Sequence, residues 1–247
     1  MASDRTVAQV IAACLARHGV KFLFSQSLPS AVLLAAEDIG LQQFTYRTEN
    51  AGGAMADGFA RISGKAAVVT AQNGPAATLL VPPLAEALLS SIPIVALVQE
   101  VDRPMTDRNA FQELDHIGLF QSCTKWVRRV TEASRIEDYV DMAFTIATSG
   151  RPGPTALLLP ADLLKEPAGV FGRRQSCLGN YPLDRALPDA AQIDAAADLI
   201  AAAQNPVVMA GGGVHLSGAA TELAALQEEA HLPVMTTVMG KGAVSEE

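Results

Sequence analysis

Apolar residues Val7, Val10, Ile11, Cys14 and Leu15 recur at three- and four-residue spacing, which predicts a helix with Ser3 or Asp4 as N-cap and Gly19 as its stop. The pattern then changes to short apolar runs without alternation. Residues 21–25, 43–47, 66–71 and 92–99 read as strands, separated by helical spacing over 31–37, 51–62 and 76–90. After an irregular, polar stretch that extends to Glu113, a strand is expected over 125–130. A helix over 136–149 capped by Gly150 and a strand over 155–159 follow. Strands alternating with helices, and apolar without a polar face, predict an α/β fold: a parallel six-stranded sheet with helices on both faces.

Between Pro160 and Pro188 the periodicity is lost among scattered Pro and Gly, as in a surface linker. A second α/β unit follows: helix 190–203, strand 207–210, the Gly211-Gly212-Gly213 turn, helix 218–230 and strand 234–238. The expected organisation is a first domain over 1–160, a linker over 161–188 and the opening of a Rossmann-like domain over 189–247. Two strands leave an open parallel sheet uncovered, so this second domain is expected to be incomplete within the chain.

Composition narrows the function classes. The chain has 247 residues, 49% hydrophobic and 18% charged, which fits a globular protein and excludes disorder. A formal net charge of -8 is the wrong sign for a surface that tracks phosphates, so no nucleic-acid partner is expected. Cys14, Cys123 and Cys177 lack C-x-x-C spacing and give neither a disulfide framework nor a zinc site. No signal-peptide pattern opens the chain, and Pro82, Pro83, Glu86 and Pro93 interrupt its richest apolar stretch. A cytoplasmic protein off the membrane is expected.

Three constellations could carry chemistry. Glu49 sits between a strand and a helix rich in small residues, where parallel sheets place ligands, and a carboxylate there suits acid–base work. The same position also suits a glutamate that merely favours the positive end of the helix dipole. Gln72-Asn73-Gly74-Pro75 again joins a strand end to a helix, either as a ligand-facing loop or as a tight connection; it has no phosphate-loop pattern. Ala210-Gly211-Gly212-Gly213 resembles half of a dinucleotide site without completing its fingerprint. His18, His116, His215 and His231 are spread along the sequence, so metal ligation is unsupported and surface or capping positions are expected.

Taken in order, these residues resemble the thiamine diphosphate enzymes of the acetolactate synthase type. The run Arg47-Thr48-Glu49-Asn50-Ala51-Gly52-Gly53-Ala54-Met55-Ala56-Asp57-Gly58-Phe59-Ala60-Arg61 resembles the family's R-H-E-x-x-A-x-x-M-A-D-G-Y-A-R. Gly74-Pro75, Ala110-Phe111-Gln112-Glu113, Thr124-Lys125, Gly150-Arg151-Pro152-Gly153-Pro154, the triple glycine and Met239-Gly240-Lys241-Gly242 follow in the family's sequence. The resemblance implies the thiamine diphosphate-binding fold, with a pyrimidine-binding domain and the first part of a central domain.

It implies further that Glu49 is catalytic, its carboxyl meeting N1′ of the cofactor's aminopyrimidine and favouring the tautomer that lets the thiazolium C2 lose its proton. Gly74 and Pro75 would flank the pyrimidine, Gln112 would lie near the reacting end, Phe111 would line the substrate path and Lys125 its mouth. Arg151 would contact FAD. No metal ligand is expected in this chain: Mg²⁺ and the diphosphate would be held by a later domain, and no Gly-Asp-Gly occurs here. The implied activity is carboligation of a 2-oxo acid such as pyruvate by a homodimer or homotetramer with active sites between subunits, this chain being inactive by itself. Decarboxylation or lysis without ligation, a non-catalytic assembly or regulatory subunit, and a nucleotide-binding module are the alternatives. The family's F-G-x-P-G-G turn is replaced by Phe24-Ser25-Gln26-Ser27-Leu28-Pro29, and its G-P-G-A-T-N by Gly74-Pro75-Ala76-Ala77-Thr78-Leu79.

Overall fold

The computed structural model describes residues 5–169, 172 and 174–245, and the chain divides into two compact units, Met1–Leu183 and Asp184–Glu247. In the first unit the elements run α1 (Val7–Arg17), β1 (Phe22–Ser25), α2 (Ser30–Asp38), β2 (Gln42–Thr45), α3 (Glu49–Ser63), β3 (Ala67–Ala71), α4 (Pro75–Leu79) and α5 (Val81–Ser90). They continue with β4 (Ile94–Glu100), α6 (His116–Gln121), β5 (Trp126–Arg129), α7 (Ile136–Thr148) and β6 (Thr155–Pro160). The six strands form one sheet in the order β2-β1-β3-β4-β6-β5, every neighbouring pair parallel. This is the expected parallel six-stranded sheet.

Side-chain alternation sorts the core into two layers. Leu23, Val68, Leu97, Leu157 and Leu159 point to the face covered by α1, α2 and α7, where Ile11, Leu15, Val32, Val140 and Phe144 are buried. Phe24, Val69, Val98 and Leu158 point to the other face, under Ala56 and Ala60 of α3, Leu84 of α5 and Phe120 of α6. The path explains the sorting. Steps from β1 to β2 and from β5 to β6 run one way across the sheet, and the other three run the opposite way. Right-handed crossovers put α2 and α7 on one face and α3, α5 and α6 on the other. Burying each fully enclosed Leu or Phe contributes about 1.5–3 kcal/mol, so this double layer is the main source of stability. The two edge strands depart from the doubly buried pattern, β2 with Gln42, Phe44 and Thr45 exposed and β5 with Arg128 exposed.

Local differences have local causes. Ser3 and Asp4 lie outside the described residues; Thr6 caps α1, its hydroxyl accepting from Gln9 N while the Gln9 side chain accepts from Thr6 N. The helix expected over 76–90 divides at Leu80, because Pro82 and Pro83 offer no N–H to the carbonyls of Thr78 and Leu79. Helix α6, in a segment between Glu113 and Lys125 for which no element is expected, is capped by Asp115, whose carboxylate accepts from Gly118 N at 3.1 Å.

Beyond β6 the chain packs back on the first unit as far as Leu183. Leu163, Leu164 and Ala168 are buried in the core, and Pro167 and Asn180 bridge to Thr6 and Lys65. A buried cluster secures this return. Arg17 bonds Glu137 and Asp141, His18 Nε2 lies 2.9 Å from Asp141 Oδ1, and Arg174 reaches Asp141 at 3.2 Å. The second unit contains α8 (Ala190–Ala202), β7 (Val208–Ala210), α9 (Gly213–Ser217), α10 (Ala220–Glu229) and β8 (Val234–Thr236), with β7 and β8 parallel. The helix expected from Gly218 therefore begins at Ala220, and the triple glycine leads into the short α9. Gly240 lies so close to β7 that a Cβ there would sit 2.1 Å from Ala210 O.

Candidate active site at the carboxyl edge of the sheet

Glu49 is the first residue of α3, two positions beyond the turn that leaves β2, and is 7% exposed. Thr48, its N-cap, makes no side-chain bond to the helix. Among the described residues nothing donates a hydrogen bond to the Glu49 carboxylate, an unusual condition for a buried charge. Tyr46 forms the adjoining wall: its hydroxyl donates to the Thr70 carbonyl at the end of β3. Burial first, and the negative charge of Glu49 second, push the Tyr46 phenol well above its usual range, which keeps it a neutral donor. Gly52 admits that ring, since a Cβ there would lie 2.2 Å from it, and Gly53 admits Pro83. The small residues after Glu49 thus let β2 and α5 close on the helix.

A second group lies beyond β3, β4 and β5, on the same edge of the sheet. Gly74 has φ +65° and ψ −125°, a conformation open to glycine, and a Cβ there would lie 2.7 Å from the Gln112 Cβ and carbonyl oxygen. Gln112 itself has φ +59°. Asn73 Nδ2 donates to the Phe111 and Gln112 carbonyls at 3.0 and 3.1 Å, and Gln72 Nε2 donates to Gln112 Oε1 at 2.7 Å. The Phe111–Gln112 arm is thereby seated on the β3–α4 loop, with the Phe111 side chain 80% exposed beside it. Glu113 holds the turn before the arm by accepting from Asp107 N and Ala110 N, bonds that keep its carboxyl below the usual range.

His116 corrects the expectation of surface histidines, as does His18. His116 is 2% exposed, its Nε2 is 2.9 Å from Gly74 N, and its Nδ1 is 3.1 Å from Glu100 Oε1. Arg129, at the end of β5, grips both oxygens of the same Glu100. Burial works against the charged form of Glu100, but the bonds from His116 and Arg129 outweigh it and hold the carboxyl below the ordinary range. His215 and His231 are exposed, as expected.

Sequence reasoning missed Glu100, His116, Arg129 and the clamping role of Asn73. The available signal was an acid closing the apolar strand Ile94–Glu100, with Asp115 as a helix cap immediately before the histidine.

Glu49, Gly74, Pro75, Phe111 and Gln112 all lie on the carboxyl edge; Lys125 and Arg151 do not. Both precede their strands and so occupy the amino edge. Lys125 Nζ donates to the carbonyls of Ile146 and Ser149, closing the end of α7. Arg151 donates to Leu89 O at 2.7 Å and Ser91 Oγ at 2.8 Å, closing the end of α5. The triple glycine belongs to the second unit, where a Cβ on Gly212 would lie 3.0 Å from Met239 Cβ. Among the described residues no group of three or more His, Cys, Asp or Glu could hold a metal ion, and no helix is long and apolar enough to cross a membrane.

A little-exposed carboxylate beyond β2, without a donor among the described residues, and a glycine loop beyond β3 lie at the edge where parallel α/β sheets bind ligands. The chain belongs to the thiamine pyrophosphate enzymes. Residues 5–119 match the family's N-terminal TPP binding domain, and residues 193–247 match its central domain. It is 38% identical over 97% of its length to a probable acetolactate synthase large subunit of Methanocaldococcus jannaschii, covering 41% of that protein. It is 37% identical over 94% of its length to the acetolactate synthase of Arthrospira platensis, also covering 41%. Against the mitochondrial acetolactate synthase catalytic subunit of Saccharomyces cerevisiae it is 34% identical over 98% of its length, covering 37%. The chain thus spans about two fifths of the length of these curated relatives.

Proposed function

We propose that this chain is the pyrimidine-side part of a thiamine diphosphate-dependent carboligase acting on a 2-oxo acid, of the acetolactate synthase kind. The observation that carries the reading is Glu49: a residue only 7% exposed, at the ligand-binding edge of a parallel sheet, whose carboxylate has no donor among the described residues. Such a group is stabilised by a ligand that presents a ring nitrogen able to share a proton, and the aminopyrimidine of thiamine diphosphate is that kind of ligand. When bound, the cofactor supplies the carbon nucleophile and the electron sink that 2-oxo acid chemistry requires.

The chain's own residues prepare the place for it. Glu49 holds or gives up a proton at its carboxyl oxygen. Tyr46 lies near enough for the Glu49 charge to act on its phenol, while its hydroxyl is committed to the Thr70 carbonyl. Gly74 and Pro75 shape the floor, and Gln112, pinned by Gln72 and Asn73, keeps an amide at the mouth of the site. The same reading includes Mg²⁺ and the diphosphate held by residues outside this chain, FAD as a further cofactor near Arg151, and active sites shared between subunits of a homodimer or homotetramer. It also includes a cytoplasmic setting.

The test is Glu49→Gln in the full-length enzyme, measuring activation by thiamine diphosphate and acetolactate formation from pyruvate. Loss of a proton-sharing carboxyl should lower turnover by about 10²-fold or more. Turnover close to wild type overturns the proposal.

A further inference from the structure

The buried chain Gly74–His116–Glu100–Arg129 has no part in the proton-sharing role given to Glu49, yet it joins the ends of β3, β4 and β5. The direction of its bonds fixes a protonation state. A backbone N–H can only donate, so Gly74 N, 2.9 Å from His116 Nε2, requires a lone pair on that nitrogen. The ring proton therefore sits on Nδ1, which donates to Glu100 Oε1 at 3.1 Å. The bonds from Arg129 and burial of Glu100 to 4% exposure make that carboxylate a fixed acceptor. Asp115 and Asp107 add negative charge near Arg129, strengthening its positive state.

We infer that His116 is a positioning residue: as the neutral Nδ1–H tautomer it locks the Gly74 peptide, and with it the Gln112 arm, in the geometry the cofactor-side loop needs. Gly74 has no side chain to anchor it and holds a backbone conformation other residues rarely adopt. Its N–H is the group through which His116 holds the loop, while its carbonyl accepts from Thr78 N of α4. Gln112 rests directly on Gly74, so a displaced peptide displaces the arm as well. The inference deepens the proposed function and rests on it for the identity of the ligand, while the lock itself rests on geometry alone.

The test compares His116→Leu, which removes the acceptor, with His116→Gln, whose Oε1 can accept from Gly74 N. In the full-length enzyme, the Leu variant should raise the thiamine diphosphate concentration for half-activation about tenfold, as expected when one buried donor is left unpaired. Its kcat at saturating cofactor should fall by less than about threefold, and the Gln variant should recover most of the lost affinity. Independently, ¹⁵N spectra of the wild-type imidazole should show the proton on Nδ1 at neutral pH. Equal impairment of the Leu and Gln variants, or a proton on Nε2, overturns the inference. If Glu49→Gln leaves cofactor activation intact, the cofactor reading fails, and the tautomer together with the Gly74 amide resonance in the two variants still decides the lock.

Discussion

Replacing Gly74 by Ala tests the packing of the loop against the Gln112 arm, with two other glycines as internal references. Gly74→Ala meets two penalties. The backbone is held at φ +65° and ψ −125°, and the new Cβ lies 2.7 Å from Gln112 Cβ and its carbonyl oxygen and 3.2 Å from its Cα. Backbone atoms cannot swing aside as a side-chain tip can. Strain of this kind costs about 1–3 kcal/mol, and overpacking about 1–3 kcal/mol more, so the combined loss is roughly 2–6 kcal/mol. Gly64, the C-cap of α3, has φ +66° and open space around its Cβ position, so Gly64→Ala carries only the left-handed penalty of about 1 kcal/mol. Gly58 lies inside α3 with nothing near, and Ala there should stabilise by about 0.5–1 kcal/mol.

Trp126 is the sole tryptophan and lies in β5, so its fluorescence reports urea unfolding of the first unit. With a slope of about 2 kcal/mol/M, the midpoint should fall by about 1–3 M for Gly74→Ala and by about 0.5 M for Gly64→Ala. For Gly58→Ala it should rise by about 0.3–0.5 M. If Gly74→Ala costs no more than Gly64→Ala, the contact with Gln112 does not constrain the loop and the account of the seated arm is refuted.

Glu100 is held in its charged form by His116 and Arg129, so the stability it contributes is complete above the ordinary carboxylate range and is lost as pH falls through its lowered folded value. The stability gap between wild type and Arg129→Met should therefore be widest at neutral pH and narrow on acidification; a gap independent of pH contradicts the pairing. Phe144 is fully buried against α1 and the His18 ring, and Phe144→Ala should cost about 3–5 kcal/mol in a urea titration, a loss below 1 kcal/mol speaking against the layer described. Burial raises the Cys14 thiol to about 12 and the Cys123 thiol to about 11, whereas Cys177 is exposed. A thiol reagent should label Cys177 alone in the native protein at neutral pH and all three in denaturant; rapid native labelling of Cys14 would show that α1 is not packed as described.

The strands and most helices of the first unit were legible because period and length agreed: β3, β4 and β6 are short, mostly apolar runs without alternation, and α1 and α7 show one apolar stripe each. The misread places are those where a local rule competed with the pattern. Pro82 and Pro83 split an otherwise continuous helical stripe. Helix α6 was not assigned, although Asp115 was in place to cap it. Glu49 was legible as a residue in the right position, yet the pattern alone could not separate a helix-dipole glutamate from a functional one. The proposal for Glu49 rests instead on its burial and on the lack of a donor among the described residues, which are three-dimensional facts. His116 was illegible for a related reason: its partners Gly74 and Glu100 lie 42 and 16 positions away, Arg129 lies 29 from the Glu100 it bonds, and the four meet only once β3, β4 and β5 stand in their order.

Topology, more than motif, separates the residues that form one site from those that do not. In a parallel sheet every loop after a strand opens on one edge and every segment before a strand on the other, so the order of a residue relative to its strand assigns its edge before any side chain is placed. Glu49, Gly74 and Gln112 follow β2, β3 and β4; Arg129 ends β5. Lys125 stands immediately before β5 and Arg151 in the turn that leads to β6, and they close the carboxyl ends of α7 and α5, where a positive charge meets the last carbonyls. A contact between either of these two and a ligand on Glu49 would have to cross the length of the strands within this chain. Neither residue therefore belongs to a site built on Glu49 of the same chain. Lys125→Met and Arg151→Met should accordingly loosen the ends of α7 and α5 while leaving the Gly74–His116 bond, read through the Gly74 amide, unchanged.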